Sequence, residues 1–305
     1  MSKGDFRMNR RSFLQLTAGA LVSSMCAPAI VIAKVKEPMK RIGLTTVTFR
    51  SRFQATKFKD YPIQNELTLK DIPKFYAERF KIHNLEFWSL HFESQSPGYL
   101  KDLRKKVEET KSTLINIQVD DGNSFNLSNT DEFRRKVSLA CAKQWIDVAA
   151  AIGSKAVRIN TGQGSIETCI SSFKQINSYA LKKGVVLLIE NHGGISSSPD
   201  EHVKIIKAVA SPNCRTLPDF GNYPDDIRYE GLKKIMPYAH QISAKTMHFN
   251  DKMEHTTFDF GRCMRIAKEA GFKGIYSIEQ WDPSQKPKDY EKITDWAIEQ
   301  IKQYV

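Results

Sequence analysis

Four things are missing from this chain: a bilayer-length apolar run, a glycine-rich phosphate loop, a C-x-x-C pair and a low-complexity linker. Each absence excludes a class of protein. The mild apolar stretch over residues 16–33 is interrupted by Pro28, so its unbroken length falls short of the roughly 20 residues a membrane helix needs. No stable membrane insertion is expected once that stretch is removed. No G-x-G-x-x-G follows the first strand-like run, and Thr161-Gly162-Gln163-Gly164 is too isolated to replace it, which argues against an open dinucleotide-binding sheet. Of the five cysteines, Cys141, Cys169, Cys214 and Cys263 stand far apart beyond the N-terminal segment. They read as buried thiols rather than as a thiolate metal site.

What the N-terminus does carry is Asn9-Arg10-Arg11-Ser12-Phe13-Leu14-Gln15, a twin-arginine pattern ahead of the apolar stretch. Ala27 and Ala29, or Val31 and Ala33, offer two cleavage registers. Residues 1–33 are therefore expected to be an export signal, and residues 34–305 a single domain delivered folded to the periplasm or beyond. The full chain has a formal charge of +12; the leader takes away four basic residues and one acidic one, leaving about +9. Lysines are scattered, as on solvated helix faces, and export disfavours nucleic acid as a partner.

Eight strand-like runs alternate with helical patterns. They cover residues 42–49, 84–92, 113–120, 156–160, 185–191, 215–220, 241–249 and 274–280, short and rich in branched or aromatic residues, as strands buried on both faces are. Helices over 130–152, 166–183 and 260–270 each stop at a glycine: Gly153, Gly184 and Gly271. Eight such units in this length predict an α/β fold, a single-domain (β/α)8 TIM barrel. Residues 51–67 form a long first connection, either a lid or a packed surface loop.

Three carboxylates close predicted strands: Glu190 in LLIENHGG, Asp219 in TLPDFGNY and Glu279 in IYSIEQW. Barrel enzymes place their chemistry at these strand ends, and three acids there call for a shared positive partner. A divalent metal is the simplest: hard oxygen donors suit Mn, Mg, Co or Zn.

These segments, with Ser243-Ala244-Lys245 and the ending from Gly271 to Glu279, resemble the sugar phosphate isomerase/epimerase branch of the xylose isomerase-like barrel superfamily. The resemblance spans nearly all of the chain beyond the leader. It implies a metal held by a glutamate on strand five, an aspartate on six, a histidine on seven and a glutamate on eight. Glu190, Asp219 and Glu279 match three of these. Strand seven departs, with Ser243 and Lys245 where a histidine is expected. Substitutes are His248 first, then His240 and His192. Endonuclease chemistry, also found in the superfamily, needs more histidine ligands than the seven histidines here, few of them at strand ends, provide.

Around this centre, Trp88 and His91 are expected to stack on and recognise a sugar, with Arg158, Asn160 and His192 as further substrate contacts. Arg158 either binds an anionic substrate group or pairs with Glu190 or Glu86. Lys245 either polarises a carbonyl or pairs with Asp219 or Glu279. His83, His202 and His255 read as surface residues. The implied chemistry is proton abstraction next to a carbonyl, with Glu190 and Glu279 as acid and base. The expected substrate is a small sugar or keto-sugar, because sugar phosphates are scarce outside the cytoplasm. The alternatives are a lyase or hydratase on keto-glycosides, and a non-catalytic periplasmic carbohydrate-binding barrel. Relatives in the superfamily often dimerise, so a homo-oligomer is possible, though no residue pattern marks an interface.

Overall fold

The computed structural model describes residues 37–120 and 125–305; the predicted export signal lies outside them. The strands are β1 (Ile42–Thr45), β2 (Asn84–Trp88), β3 (Thr113–Val119), β4 (Ala156–Ile159), β5 (Val186–Glu190), β6 (Cys214–Leu217), β7 (Gln241–Thr246) and β8 (Ile275–Gln280). The helices are α1 (Ile72–Phe80), α2 (Pro97–Glu109), α3 (Glu132–Ile152), α4 (Ile166–Lys182), α5 (Pro199–Val209), α6 (Arg228–Ile235), α7 (Phe260–Glu269) and α8 (Tyr290–Lys302). Strand pairing is parallel, in the order β6-β5-β4-β3-β2-β1-β8-β7. The predicted (β/α)8 barrel is thus observed, and it is nearly closed. Between β6 and β7 there are only isolated bridges, Thr216 to Ala239 and Asp219 to Ser243. Pro218 stands just there, and a proline has no N–H to give a ladder.

Local sequence sets the helix boundaries. Asp131, Ser165 and Asp259 accept the N–H groups of Arg134, Thr168 and Arg262, capping α3, α4 and α7. Gly153 ends α3 in the left-handed region, at φ 77°, where a side chain would be strained. The outward strand residues, among them Leu44, Phe87, Ile117, Ile189 and Ile278, are buried beneath the helices. Inside the barrel the two walls differ. β4, β5 and β6 supply an apolar plug of Ala156, Leu188 and Leu217. β2, β3, β7 and β8 supply the buried polar residues Glu86, Asn116, Gln241 and Ser277.

All the strands are shorter than the predicted runs, and β1, β2 and β7 lose the most. Thr45 Oγ1 accepts the Val47 N–H and starts a 3-10 turn over Thr46–Arg52, ending β1. β2 stops before a 3-10 turn at Ser89–His91, and β7 stops at Thr246. The apolar residues that prolonged the pattern face other partners: Phe49 packs on Phe75, Tyr76 and Phe80, and Phe249 on Trp296. The first connection is packed down. Phe53, Phe58 and Leu67 are buried in it, and Leu67 donates its N–H to Arg52 O at 2.8 Å. Cys169, Cys214 and Cys263 are buried, as expected, whereas Cys141 is only half-buried. His202 is not on the surface: it faces inward from α5 and is fully buried, because the α5 stripe that covers the barrel includes its position. His255 is half-buried, its ring against Phe249, Phe258 and Trp296. Among the described residues no helix is long and apolar enough to cross a membrane.

Candidate active site

At the carboxyl ends of the strands lies a cavity of about 410 Å³. Trp88, Phe125, Trp281 and Val47 line it, as do the polar groups Gln118, Asp120, Arg158, Asn160, Glu190, His192, Asn222, Lys245 and Glu279. Beneath it the barrel brings together Glu190, Asp219 and Glu279, all buried, with one carboxylate oxygen of each within 4.8 Å of the others. Three strands converge to do this, and each acid is held from behind. Asp219 and Asn191 exchange a backbone N–H and a side-chain N–H, at 2.7 and 3.1 Å. Asp219 Oδ1 also accepts the N–H groups of Gly221 and Asn222, at 2.7 and 3.0 Å. Glu279 Oε2 accepts from Gln118 Nε2 at 2.9 Å and Ser243 Oγ at 3.4 Å.

Two cations answer these acids. Arg158 Nε lies 2.9 Å from Glu190 Oε2, and its Nη1 lies 2.7 Å from Asp120 Oδ1 and 3.0 Å from Val119 O. Lys245 Nζ lies 3.0 Å from Glu279 Oε1, 3.1 Å from Asp219 Oδ2 and 2.7 Å from Asn222 Oδ1. Asn222 Nδ2 turns the other way, to Glu190 Oε1 at 3.2 Å. Both pairings foreseen for these cations therefore form, Arg158 with Glu190 and Lys245 with both Asp219 and Glu279.

The surroundings set proton affinities. Burial raises Glu190 well above the usual carboxylate range, against the pull of Arg158, and the neighbouring charge of Asp219 adds to the rise. Asp219 is drawn below that range: burial opposes the shift, but Lys245 and the hydrogen bonds outweigh it. The same negative neighbours hold Lys245 protonated despite its burial. One inward position before Trp88 on β2, Glu86 pairs with no cation among the described residues. Burial pushes it up to about 7, even with hydrogen bonds from Ser277, Asn116 and Gln241.

Of the predicted substrate contacts, Trp88, Arg158, Asn160 and His192 line the cavity. Trp88 Nε1 donates to Asp120 Oδ2 at 2.7 Å, and Asn160 Nδ2 donates to Asp120 Oδ1 at 2.8 Å. His91 does not reach the cavity. The turn after β2 buries it against Phe53, with ring centroids 3.7 Å apart, and its nitrogens meet Thr46 and Thr56, each at 2.9 Å. Burial lowers it to about 3, so it is a neutral packing group. His248 stands outside the acid cluster too. Past the end of β7 its side chain is 63% exposed, and its Nδ1 is 3.6 Å from Asp282. The reason is the same at both histidines: a strand that ends early no longer fixes which way the next residues face. Missed from the sequence were Gln118, Asn222 and Trp281. Alternation back from Asp120 would have placed Gln118 on the inner wall.

As a donor set the cluster fits a divalent ion: three buried carboxylates at short mutual range are hard oxygen ligands.

A parallel barrel with an acid cluster at its catalytic end defines a class of metabolic barrel proteins rather than one reaction. The chain belongs to the xylose isomerase-like TIM barrel family, whose sequence model matches residues 77–303. No curated protein matches it by sequence. Among solved structures, D-psicose 3-epimerase from Clostridium cellulolyticum H10, with D-tagatose, superposes with a TM-score of 0.67 at 13% identity, over 87% of this chain and 99% of that one. A xylose isomerase-like TIM barrel protein from Mycobacterium smegmatis, in complex with magnesium, gives 0.61 at 17%, over 87% and 97%. The 3-keto-D-glucoside 4-epimerase of E. coli gives 0.60 at 12%, over 84% and 98%. At these identities the likeness is one of fold.

Proposed function

We propose that the protein is a sugar isomerase/epimerase-type enzyme acting on an uncharged keto-sugar or keto-glycoside. The observation that carries the reading is the pair Glu190 and Glu279, facing one cavity from strands on different parts of the ring. Glu190, whose proton affinity is raised by burial and which faces the cavity from β5, is suited to take and return a proton. Glu279, held by Gln118 and Ser243, is the second group able to exchange a proton at the carbon next to the carbonyl. Trp88, Phe125 and Trp281 provide apolar faces for the sugar ring. Without metal, Lys245 is the positive group closest to both Asp219 and Glu279, available to the substrate oxygen that gains negative charge as the carbon loses its proton. Glu190, Asp219 and Glu279 would hold a divalent metal, which when bound supplies Lewis-acid polarisation of the substrate oxygens. With a leaving group beta to the carbonyl, the same proton removal ends in elimination, so isomerase and lyase differ here by substrate.

The uncharged substrate follows from charge already committed. Among the described lining residues, Arg158 and Lys245 are the Lys and Arg side chains, and both are engaged by Asp120, Glu190, Asp219 and Glu279. In the metal-free site a phosphate would find no unclaimed guanidinium or ammonium among the described lining residues. The twin-arginine pattern at Arg10 and Arg11 supports the same substrate class, since export removes the protein from the main pool of sugar phosphates. The test is a panel of ketohexoses and keto-glycosides beside their phosphorylated counterparts. Turnover confined to the uncharged set is expected; preference for the phosphorylated set overturns the assignment.

A further inference from the structure

We infer that Lys245 is a tethered cation seated where the divalent metal would bind, so that ammonium and metal compete for one carboxylate cluster. The inference rests on the metal site proposed above and goes beyond it. Its first support is position. Nζ lies within 3.1 Å of acceptors on Asp219, Glu279 and Asn222, one for each N–H it carries. Asn222 then bridges on to Glu190, so all three acids of the cluster are tied to the ammonium directly or through one amide.

A second, independent support is the space made for the lysine stem. A Cβ on Gly221 would come 2.8 Å from Lys245 Cδ and 3.1 Å from its Cγ. The turn after β6 is cut back where the stem passes. The third support is what β7 offers instead of a ligand. Ser243 is the inward residue before Lys245, and its hydroxyl donates to Glu279. This strand contributes a positive charge and a hydroxyl to the cluster, and no metal-binding nitrogen.

A metal ion ligated by Asp219 Oδ2 and Glu279 Oε1 would meet the ammonium as a like charge at close range, with little water to screen it. One of the two must leave. The lysine can do so, because a compact ammonium on a flexible four-carbon stem reorients readily, whereas a clamped guanidinium does not. The acid cluster is thus charge-compensated and shaped without metal, and binds metal more weakly than three carboxylates alone.

The test titrates Mn²⁺ into the whole protein and into Lys245→Met, reading free Mn²⁺ by electron paramagnetic resonance. The variant is expected to bind roughly 5- to 150-fold more tightly, the usual span of coupling between two ligands at one site. In the unaltered protein labelled with ¹⁵N-lysine, a protected ammonium signal, absent from Lys245→Met, is expected without metal and is lost when Mg²⁺ is added. Equal affinities, no binding to either protein, or an ammonium signal unchanged at saturating Mg²⁺ would overturn the inference. The response of the second readout to Mg²⁺ is followed in the unaltered protein, and Lys245→Arg assigns the signal if Lys245→Met fails to fold. Neither readout uses turnover, so this inference and the sugar reading can fail separately.

Discussion

Two cations stand at the mouth of the barrel, each between carboxylates, and they differ in how they are held. Arg158, on β4, is gripped by Asp120, Glu190 and the carbonyl of Val119. Its planar fork matches these acceptors in a rigid geometry. Lys245, on β7, meets Asp219, Glu279 and Asn222 through one small ammonium at the end of a stem that runs past Gly221. The β4 side is a fixed wall that orients Glu190 and Asp120. The β7 side is an exchangeable plug, beside the seam where β6 and β7 are joined only by isolated bridges. Similar charges on the two sides thus serve different ends, one to keep the cavity's shape and one to yield to another cation.

Breaking the wall is expected to have the largest effect. Arg158→Met strands Glu190 and part of the Asp120 charge in a buried site and should cost about 3–5 kcal/mol of stability, read by denaturant unfolding. Arg158→Lys should restore little of it, because one nitrogen cannot stand in for both Nε, which reaches Glu190, and Nη1, which reaches Asp120 and the Val119 carbonyl. Full recovery by lysine would show that the fork geometry is unimportant.

A third buried carboxylate sharpens the comparison because it pairs with no cation among the described residues. Glu86 is raised to about 7 by burial, well above its ordinary range. The folded state therefore binds a proton that the unfolded chain has already released between the two pKa values. The carboxyl costs no stability below the unfolded pKa, and its cost grows as pH rises towards 7. Glu86→Gln, which can keep the hydrogen bonds to Asn116, Gln241 and Ser277, should gain on the order of 3 kcal/mol at pH 8 and little at pH 4.5. A gain independent of pH would contradict this origin. The smallest effect is expected at His248. Exposed and apart from the acid cluster, it should tolerate His248→Ala within about 0.5 kcal/mol, with Mn²⁺ affinity unchanged.

The barrel itself was legible because each strand is an apolar run and its following helix ends at a recognisable stop, as at Gly153 and Gly271. The acids were legible because a charged residue closing a buried strand has few explanations. Glu190, Asp219 and Glu279 met in space as alternation and strand order required. The direction of two side chains past strand ends was not legible, although Asp219, beyond β6, kept the alternation through its bridge to Ser243. His91 and His248 lie beyond β2 and β7, and neither 3-10 turns nor loop packing leaves a periodic trace. Strand alternation gave Lys245 its inward direction but not its place between two acids, which depends on the backbone of the neighbouring turn at Gly221.

If Glu190 and Glu279 exchange protons with a sugar carbon, solvent deuterium must enter the product. Turnover of an uncharged keto-sugar in D₂O should place one deuterium next to the carbonyl. Glu190→Gln and Glu279→Gln should each slow that exchange by roughly 10²–10⁴-fold while keeping the barrel folded. Exchange at the unaltered rate in either variant, or turnover with no deuterium gained, would rule out these two carboxylates as the exchanging groups.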